Sequence, residues 1–184
     1  FIGSPSKQPL VGEYIAYIGE LAGNKDGVMN LIKSFHMVSH EFPDLKLCII
    51  GDTKDTISFN NLINYVTISN LANRIIFARR LHRDIVPTYL IHAKILALAR
   101  PNTIRAQGGF PTKLGEYLAT GKPVIVTKVG DIPKYLVDGL NAFIVEPDNI
   151  DKFAEKLRYI LHHYEEAVNV GKEGQKMAAT TFCS

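Results

Sequence analysis

The chain has 184 residues, 46% hydrophobic and 21% charged, which suits one globular domain or slightly more. A net charge of +3 with mixed signs implies no strong nucleic-acid field, though the excess favours anionic ligands or a weak peripheral membrane contact. No apolar run is long enough to span a bilayer. No signal peptide is visible, and the chain opens on Phe1 without Met, as a fragment would.

Residues 1–13 hold two prolines and two glycines and read as an irregular lead-in or linker tail. Residues 14–18 are apolar and β-rich, a first strand. A loop with Gly19 and Gly23 leads to a helix over residues 26–42. There Val28, Leu31, Ile32, Phe35 and Val38 share one face, while Asn30, Lys33 and Ser34 point outward. Asn24 or Asp26 can cap this helix, and Pro43 stops it. Residues 46–50 form a second strand closed by Gly51. A helix over 58–69 turns Leu62, Ile63 and Val66 inward. A short third strand (74–77), a helix (85–92) and a fourth strand (95–99) follow. Residues 111–120 form a helix with Leu114, Tyr117 and Leu118 on one face, ended by Gly121, and 123–127 a fifth strand. A short helix (131–137), a last strand (142–145), an amphipathic helix (149–164) and a final helix from 167 complete the chain. The amphipathic helix carries Ile150, Phe153, Leu157, Ile160 and Leu161 in one stripe.

Strands alternate with helices throughout, and several strands are apolar at every position. That pattern predicts an α/β domain over 14–184: a doubly wound, Rossmann-like parallel sheet with helices on both faces. Ligands in such sheets bind outside the carboxyl ends of the strands. The loops there bear glycines and many cations: Lys25, Lys54, Arg79, Arg80, Arg83, Arg100, Arg105, Lys113 and Lys128. Most are expected to be solvated. Lys25 and Lys113 stand out, because each sits where a helix begins near a glycine.

The stretch QGGFPTKLGEYLATGKPVIVT is the most informative. Gly108 and Gly109 allow close backbone approach, and Pro111 suits a helix start. The amides of Gly109, Phe110, Thr112 and Lys113 are expected to gather at the positive helix end, a natural phosphate site. Glu116 sits one turn further along. The stretch is not a P-loop: five residues separate Gly115 from Gly121, and Pro123 follows Lys122 where Ser or Thr is required.

Other chemistries lack their motifs. No GxGxxG follows the first strand, and no zinc-spaced Cys/His cluster, HExxH, Asp-x-Asp or GxSxG is present. His36 and His40 lie four apart on a helix without a third ligand and are expected on a solvated face. His162 and His163 are expected at the surface. Cys48, in an apolar strand, and Cys183, near the end, argue against a disulfide scaffold and for a reducing, cytoplasmic setting.

Three segments resemble one known family. YIGELAGNKDGVMNLIKSF resembles the first strand, glycine loop and helix of the C-terminal, donor-binding domain of retaining glycosyltransferases of the GT-B fold (glycosyltransferase family four, group one type). FPDLKLCIIGD resembles its second strand. GFPTKLGEYLATGKPVIVTKVGDIPKYLVDGLNAFIVEPDN resembles its signature core, in order and nearly without gaps.

The resemblance implies a UDP- or GDP-linked sugar as donor substrate, with no cofactor and no metal. It implies a glycan or lipid-linked acceptor held by an N-terminal domain, and polysaccharide, lipopolysaccharide or capsule synthesis at the inner face of a membrane. Gly19 falls in the glycine loop. Lys25 matches the lysine that contacts the donor diphosphate. Gly109, Phe110, Pro111, Thr112 and Lys113 match the turn and helix start that hold the distal phosphate and sugar. Glu116 matches the second glutamate of the family's motif, which binds the ribose hydroxyls, and Leu81 a position whose backbone meets the base. No nucleophile or general base is implied in this chain; Lys25 and Lys113 would stabilise the leaving charge.

Three departures stand against this pattern. Gly108 occupies the place of the motif's first glutamate, with Gln107 beside it as a substitute. Glu20 replaces an arginine that often precedes the lysine. Arg79 stands where a glycine is usual. They leave two other readings in view: a nucleotide-sugar-binding module without catalysis, and a nucleotide-sugar epimerase of the same fold.

Overall fold

The computed structural model describes residues 7–21 and 25–181. The expectations placed on Gly23, Asn24 and Cys183 fall outside them. Among the described residues there are six strands: β1 (Tyr14–Ile18), β2 (Lys46–Ile50), β3 (Ile75–Phe77), β4 (Ile95–Leu98), β5 (Val124–Thr127) and β6 (Phe143–Val145). They form one sheet in the order β3-β2-β1-β4-β5-β6, with every pairing parallel. Strands β4 and β5 are buried at every residue, as a sheet covered on both faces requires.

Seven helices among the described residues connect and cover the strands: α1 (Val28–Ser39), α2 (Thr56–Ile68), α3 (Val86–His92), α4 (Thr112–Ala119), α5 (Ile132–Tyr135), α6 (Ile150–His162) and α7 (Tyr164–Thr181). The chain steps from β1 through β2 to β3 in one direction and from β4 through β5 to β6 in the other. Right-handed crossovers therefore place α1 and α2 on one face and α4 and α5 on the opposite one. Helix α6 returns onto α1, where Ser34 Oγ donates to the Ile150 carbonyl at 3.2 Å and Arg158 pairs with Glu41 at 2.7 Å. Helix α7 lies against α4. Gly171 and Gly174 form its contact face, and a side chain there would meet the backbone of Gly121 and Lys122 or of Asn141.

Gly121 follows α4 with φ of 72°, in the left-handed conformation expected of a helix-ending glycine. The apolar faces read for α1 and α4 are buried, as are Leu62 and Val66 of α2 and Phe153, Leu157 and Ile160 of α6; Ile63, Ile150 and Leu161 are only partly covered. Three expectations are corrected. Asp26 does not cap α1, whose N-cap is Gly27 with no side-chain bond, because the Asp26 carboxylate is engaged elsewhere. Ser34 is buried and does not point outward, since α6 covers that flank. His36 is half-buried, with Nδ1 3.1 Å from the Tyr65 hydroxyl of α2, whereas His40 is exposed.

Candidate functional site

Strands β1 and β4 are neighbours, yet their following segments lead to opposite faces. The crevice that opens at their carboxyl ends is the topological switch point, where open α/β sheets bind ligands. Direct pairing between the two strands runs from Ile15↔Ile95 to Ala16↔Leu96. Beyond it, the Ile18 amide donates to the Tyr117 hydroxyl of α4 at 2.8 Å. The helix is thereby fixed to the end of β1.

Beneath the crevice lies a buried ionic cluster. Asp26 is 3% exposed, and its Oδ1 accepts from Arg100 Nε at 3.2 Å. Its Oδ2 pairs with Lys113 Nζ and lies 3.0 Å from the Tyr17 hydroxyl. Four segments meet at this one carboxylate: β1, the β1–α1 loop, the end of β4 and the start of α4. Arg100 also donates to the Ala106 carbonyl at 3.4 Å, so it braces the loop that leads to α4. Lys113 Nζ lies 5.3 Å from the centre of the Tyr17 ring. Gly19 is where a side chain has no room: its Cβ would run into Lys113 Nζ, the Tyr17 hydroxyl and Asp26.

The charges follow from this packing. Burial works to raise the Asp26 pKa, but Lys113, Arg100 and the Tyr17 hydroxyl outweigh it and hold the carboxyl below the usual aspartate value. Lys113 is shifted down by burial and by the charges of Arg100 and Lys25, with Asp26 opposing. The cations around one carboxylate account for the direction at Asp26, and burial first of all for that at Lys113. Burial, and then the charge of Asp26, push the Tyr17 phenol far up, so it stays a neutral hydroxyl.

The residues read from the sequence are placed as follows. Gly19, Lys25 and Lys113 come together at the switch point, with Lys25 half-buried and close enough to bias Lys113 electrostatically. Leu81 lines a concavity of about 320 Å³ with Gly19, Glu20, Gly51, Arg80 and Val86, at the ends of β1, β2 and β3. Thr112 and Lys113 are the first two residues of α4, whose N-cap, Pro111, makes no side-chain bond. Their amides therefore have no acceptor within the helix. Glu116 is exposed on the same helix.

Three expectations change, those for Gly109, Gln107 and Arg100. The Gly109 amide is taken by the Gln107 carbonyl at 3.0 Å, so it is not one of the open donors. The Phe110 ring packs edge-on against Tyr135 at 5.2 Å, a contact separate from the backbone amide read at the helix start. The Gln107 side chain is tied between Asn102 (2.5 Å) and the Gly130 amide (2.9 Å), so it joins two loops and does not replace the missing glutamate. Arg100 is a buried brace, not a solvated cation. Arg79 has φ of 51°, a backbone that explains a preference for glycine there, and its guanidinium lies over Phe59 and beside Asp52.

Sequence reasoning missed Asp26, Tyr17, Arg100 and Tyr117 as parts of one assembly. The available signals were a charged residue directly after an all-apolar strand and an Asp-Gly turn beside a lysine. Among the described residues, no group of three or more His, Cys, Asp or Glu could hold a metal ion, and no helix is long and apolar enough to cross a membrane.

The sequence pattern of the family described as Glycosyl transferases group 1 matches residues 5–177. A Staphylococcus aureus protein named Capsular polysaccharide biosynthesis glycosyltransferase CapM is 25% identical over 178 residues, covering 92% of this chain and 42% of that protein. A Pyrococcus horikoshii protein named Trehalose synthase is 26% identical over 171 residues, covering 85% and 37% respectively. The chain thus spans 37% to 42% of these relatives. Among solved structures, the C-terminal domain of a glycosyl transferase group 1 family protein (LpcC) from Francisella tularensis matches with a TM-score of 0.81 and 22% identity, over 92% of this chain and 86% of that one. Anabaena Alr3699/HepE, solved in complex with UDP-glucose, matches with a TM-score of 0.82 and 19% identity, over 94% and 45%. At these identities the structural likeness establishes the fold, that of a GT-B C-terminal domain.

Proposed function

The chain belongs to the glycosyl transferases group 1 family, and on that premise we propose that it is the donor-binding half of a retaining glycosyltransferase. In this reading it takes a UDP- or GDP-linked sugar and serves polysaccharide, lipopolysaccharide or capsule synthesis. The observation that carries the proposal is the convergence at the switch point. Gly19, Lys25, Lys113 and the first amides of α4 surround one crevice, and Glu116 stands on the same helix. The UDP-glucose in the HepE structure and the name of CapM are in keeping with this donor class and pathway.

The diphosphate lies across the start of α4, where the open amides and the helix dipole favour an anion. As the glycosidic bond breaks, the diphosphate gains negative charge. Lys25, Lys113 and those amides stabilise it, and they are in place before the charge develops. Glu116 accepts from the ribose diol. The base enters the concavity beside Leu81. Acceptor groups come from an N-terminal domain that closes over the crevice and excludes water, with a glycan or lipid-linked acceptor met at the cytoplasmic face of a membrane. The chain alone binds nucleotide and does not turn over.

Calorimetric titration with UDP, GDP and ADP tests this. One nucleotide is expected to bind, and Lys25→Ala and Glu116→Ala each to weaken it by about 1–3 kcal/mol. Binding by none of the three, with the chain folded, overturns the reading. A binding module without turnover is the second reading. It is favoured by Gly108 and Glu20, which stand where the family pattern has a sugar contact and a phosphate contact. Activity of a chain carrying its N-terminal half decides against it.

A further inference from the structure

The partners of Asp26 are not equivalent. The Arg100 side chain is 4% exposed and also holds the Ala106 carbonyl, so it is locked in place. The Lys113 side chain is 19% exposed, and its ammonium sits at the crevice wall over Gly19. Its flexible four-carbon stem can turn toward the amides at the start of its own helix. We propose that Lys113 is parked on Asp26 and transfers its ammonium to the diphosphate of an incoming ligand, while Arg100 and Tyr17 keep the carboxylate paired. Asp26 is then a positioning residue that acts through Lys113. This rests on the reading of the crevice as a diphosphate site.

The geometry removes the usual obstacle to such an exchange. Taking a lysine from a buried carboxylate normally leaves a charge uncompensated. Here Arg100 Nε remains on Asp26 at 3.2 Å, and the Tyr17 hydroxyl lies 3.0 Å away, its one proton shared with the Glu20 carbonyl at 2.9 Å. Burial disfavours the Lys113 proton most, and the charges of Arg100 and Lys25 add to that pressure, with Asp26 opposing. A second anion relieves that pressure. The carboxylate therefore stands in for a phosphate until one arrives and keeps the lysine ordered in the meantime.

Inorganic pyrophosphate is the probe, since it tests the exchange without the base. Calorimetry and thermal unfolding are run on the wild-type chain, Lys113→Met and Asp26→Asn, with UDP, GDP and ADP titrated in parallel. Lys113→Met is expected to lower pyrophosphate affinity about tenfold or more. Its melting temperature should change by no more than about 4 °C, because Arg100 still pairs Asp26. Asp26→Asn is expected to melt lower yet bind pyrophosphate more tightly, because the competing carboxylate is gone. A purely structural role would not raise affinity. The exchange is overturned if Lys113→Met binds as the wild type does, or if folded Asp26→Asn binds more weakly. Should Asp26→Asn fail to fold, Lys113→Met decides: lost affinity with an unchanged melting temperature supports the exchange, and a large melting loss overturns it. A wild-type chain that binds a nucleotide but not pyrophosphate overturns the exchange and leaves the donor-site reading standing. One that binds neither overturns both.

Discussion

The hydroxyl of Tyr117 accepts a hydrogen bond from the amide of Ile18 at 2.8 Å, joining α4 to the end of β1 across ninety-nine positions of sequence. The Ile18 amide lies just past the β1–β4 ladder, where no strand carbonyl of β4 reaches it. Tyr117→Phe keeps the ring and leaves that donor unsatisfied. A loss of about 1–3 kcal/mol in folding stability is expected. Denaturant unfolding of the two chains measures it, and an unchanged midpoint would show that the bond contributes nothing.

The acid side of the stability profile depends on Asp26. Its carboxyl is held below the ordinary value of 3.8. A group depressed in this way contributes stability that is fully present above that ordinary value and is lost as pH falls through the folded one. Folding free energy should therefore decline as pH drops below about 4, through protonation of this carboxylate among others. Asp26→Asn should have a lower plateau and a shallower acid limb. A limb of unaltered slope in that variant would remove Asp26 from the account.

Gly108 has space. A Cβ there would meet only the Arg105 carbonyl, at 3.7 Å, and its backbone is outside the left-handed region. Gly108→Glu should fold normally and supply the carboxylate that the family pattern places at this position. The expected result is a gain in affinity for the nucleotide sugar relative to the bare nucleoside diphosphate, read by calorimetry with both ligands. Equal change for the two would show that the carboxylate does not reach the sugar.

Cys48 is fully buried in β2, and burial pushes its thiol up to about 12. At pH 8 it should resist alkylation until the chain unfolds, because the thiolate is the reactive form. In a Cys183→Ser background, labelling of Cys48 should follow the unfolding curve measured by circular dichroism. Rapid labelling of the folded chain would contradict the packing.

The sheet was legible because burial on both faces leaves its mark on every residue of a strand. Runs such as Ile95–Leu98 and Val124–Thr127 admit little else. The helix faces of α1 and α4 were legible for the same reason, through their period. What stayed hidden was pairing at long range. The capping preference of Asp26 is a local propensity, and Arg100, 74 positions away, overrode it. Ser34 looked solvent-facing because nothing near it in sequence announces α6. Gln107 looked like a ligand contact because its partners, Asn102 and Gly130, lie in two different loops. Element ends shifted by a residue or two where a turn and a helix compete, as at Pro111, which precedes α4 and does not begin it.

The glycine seam between α7 and α4 has a mechanical consequence. With Gly171 and Gly174 seated against the turns at Gly121 and Asn141, the backbone of α7 abuts the far end of the helix whose near end is the proposed diphosphate site. Helix α4 is also held by Tyr117. It behaves as the fixed jaw of a vice. Across the proposed site stands the largely exposed turn from Arg79 to Asp84, which has no such backing. A bulky residue introduced at Gly174, remote from the crevice, would tilt the fixed jaw and misalign the site without touching any of its residues.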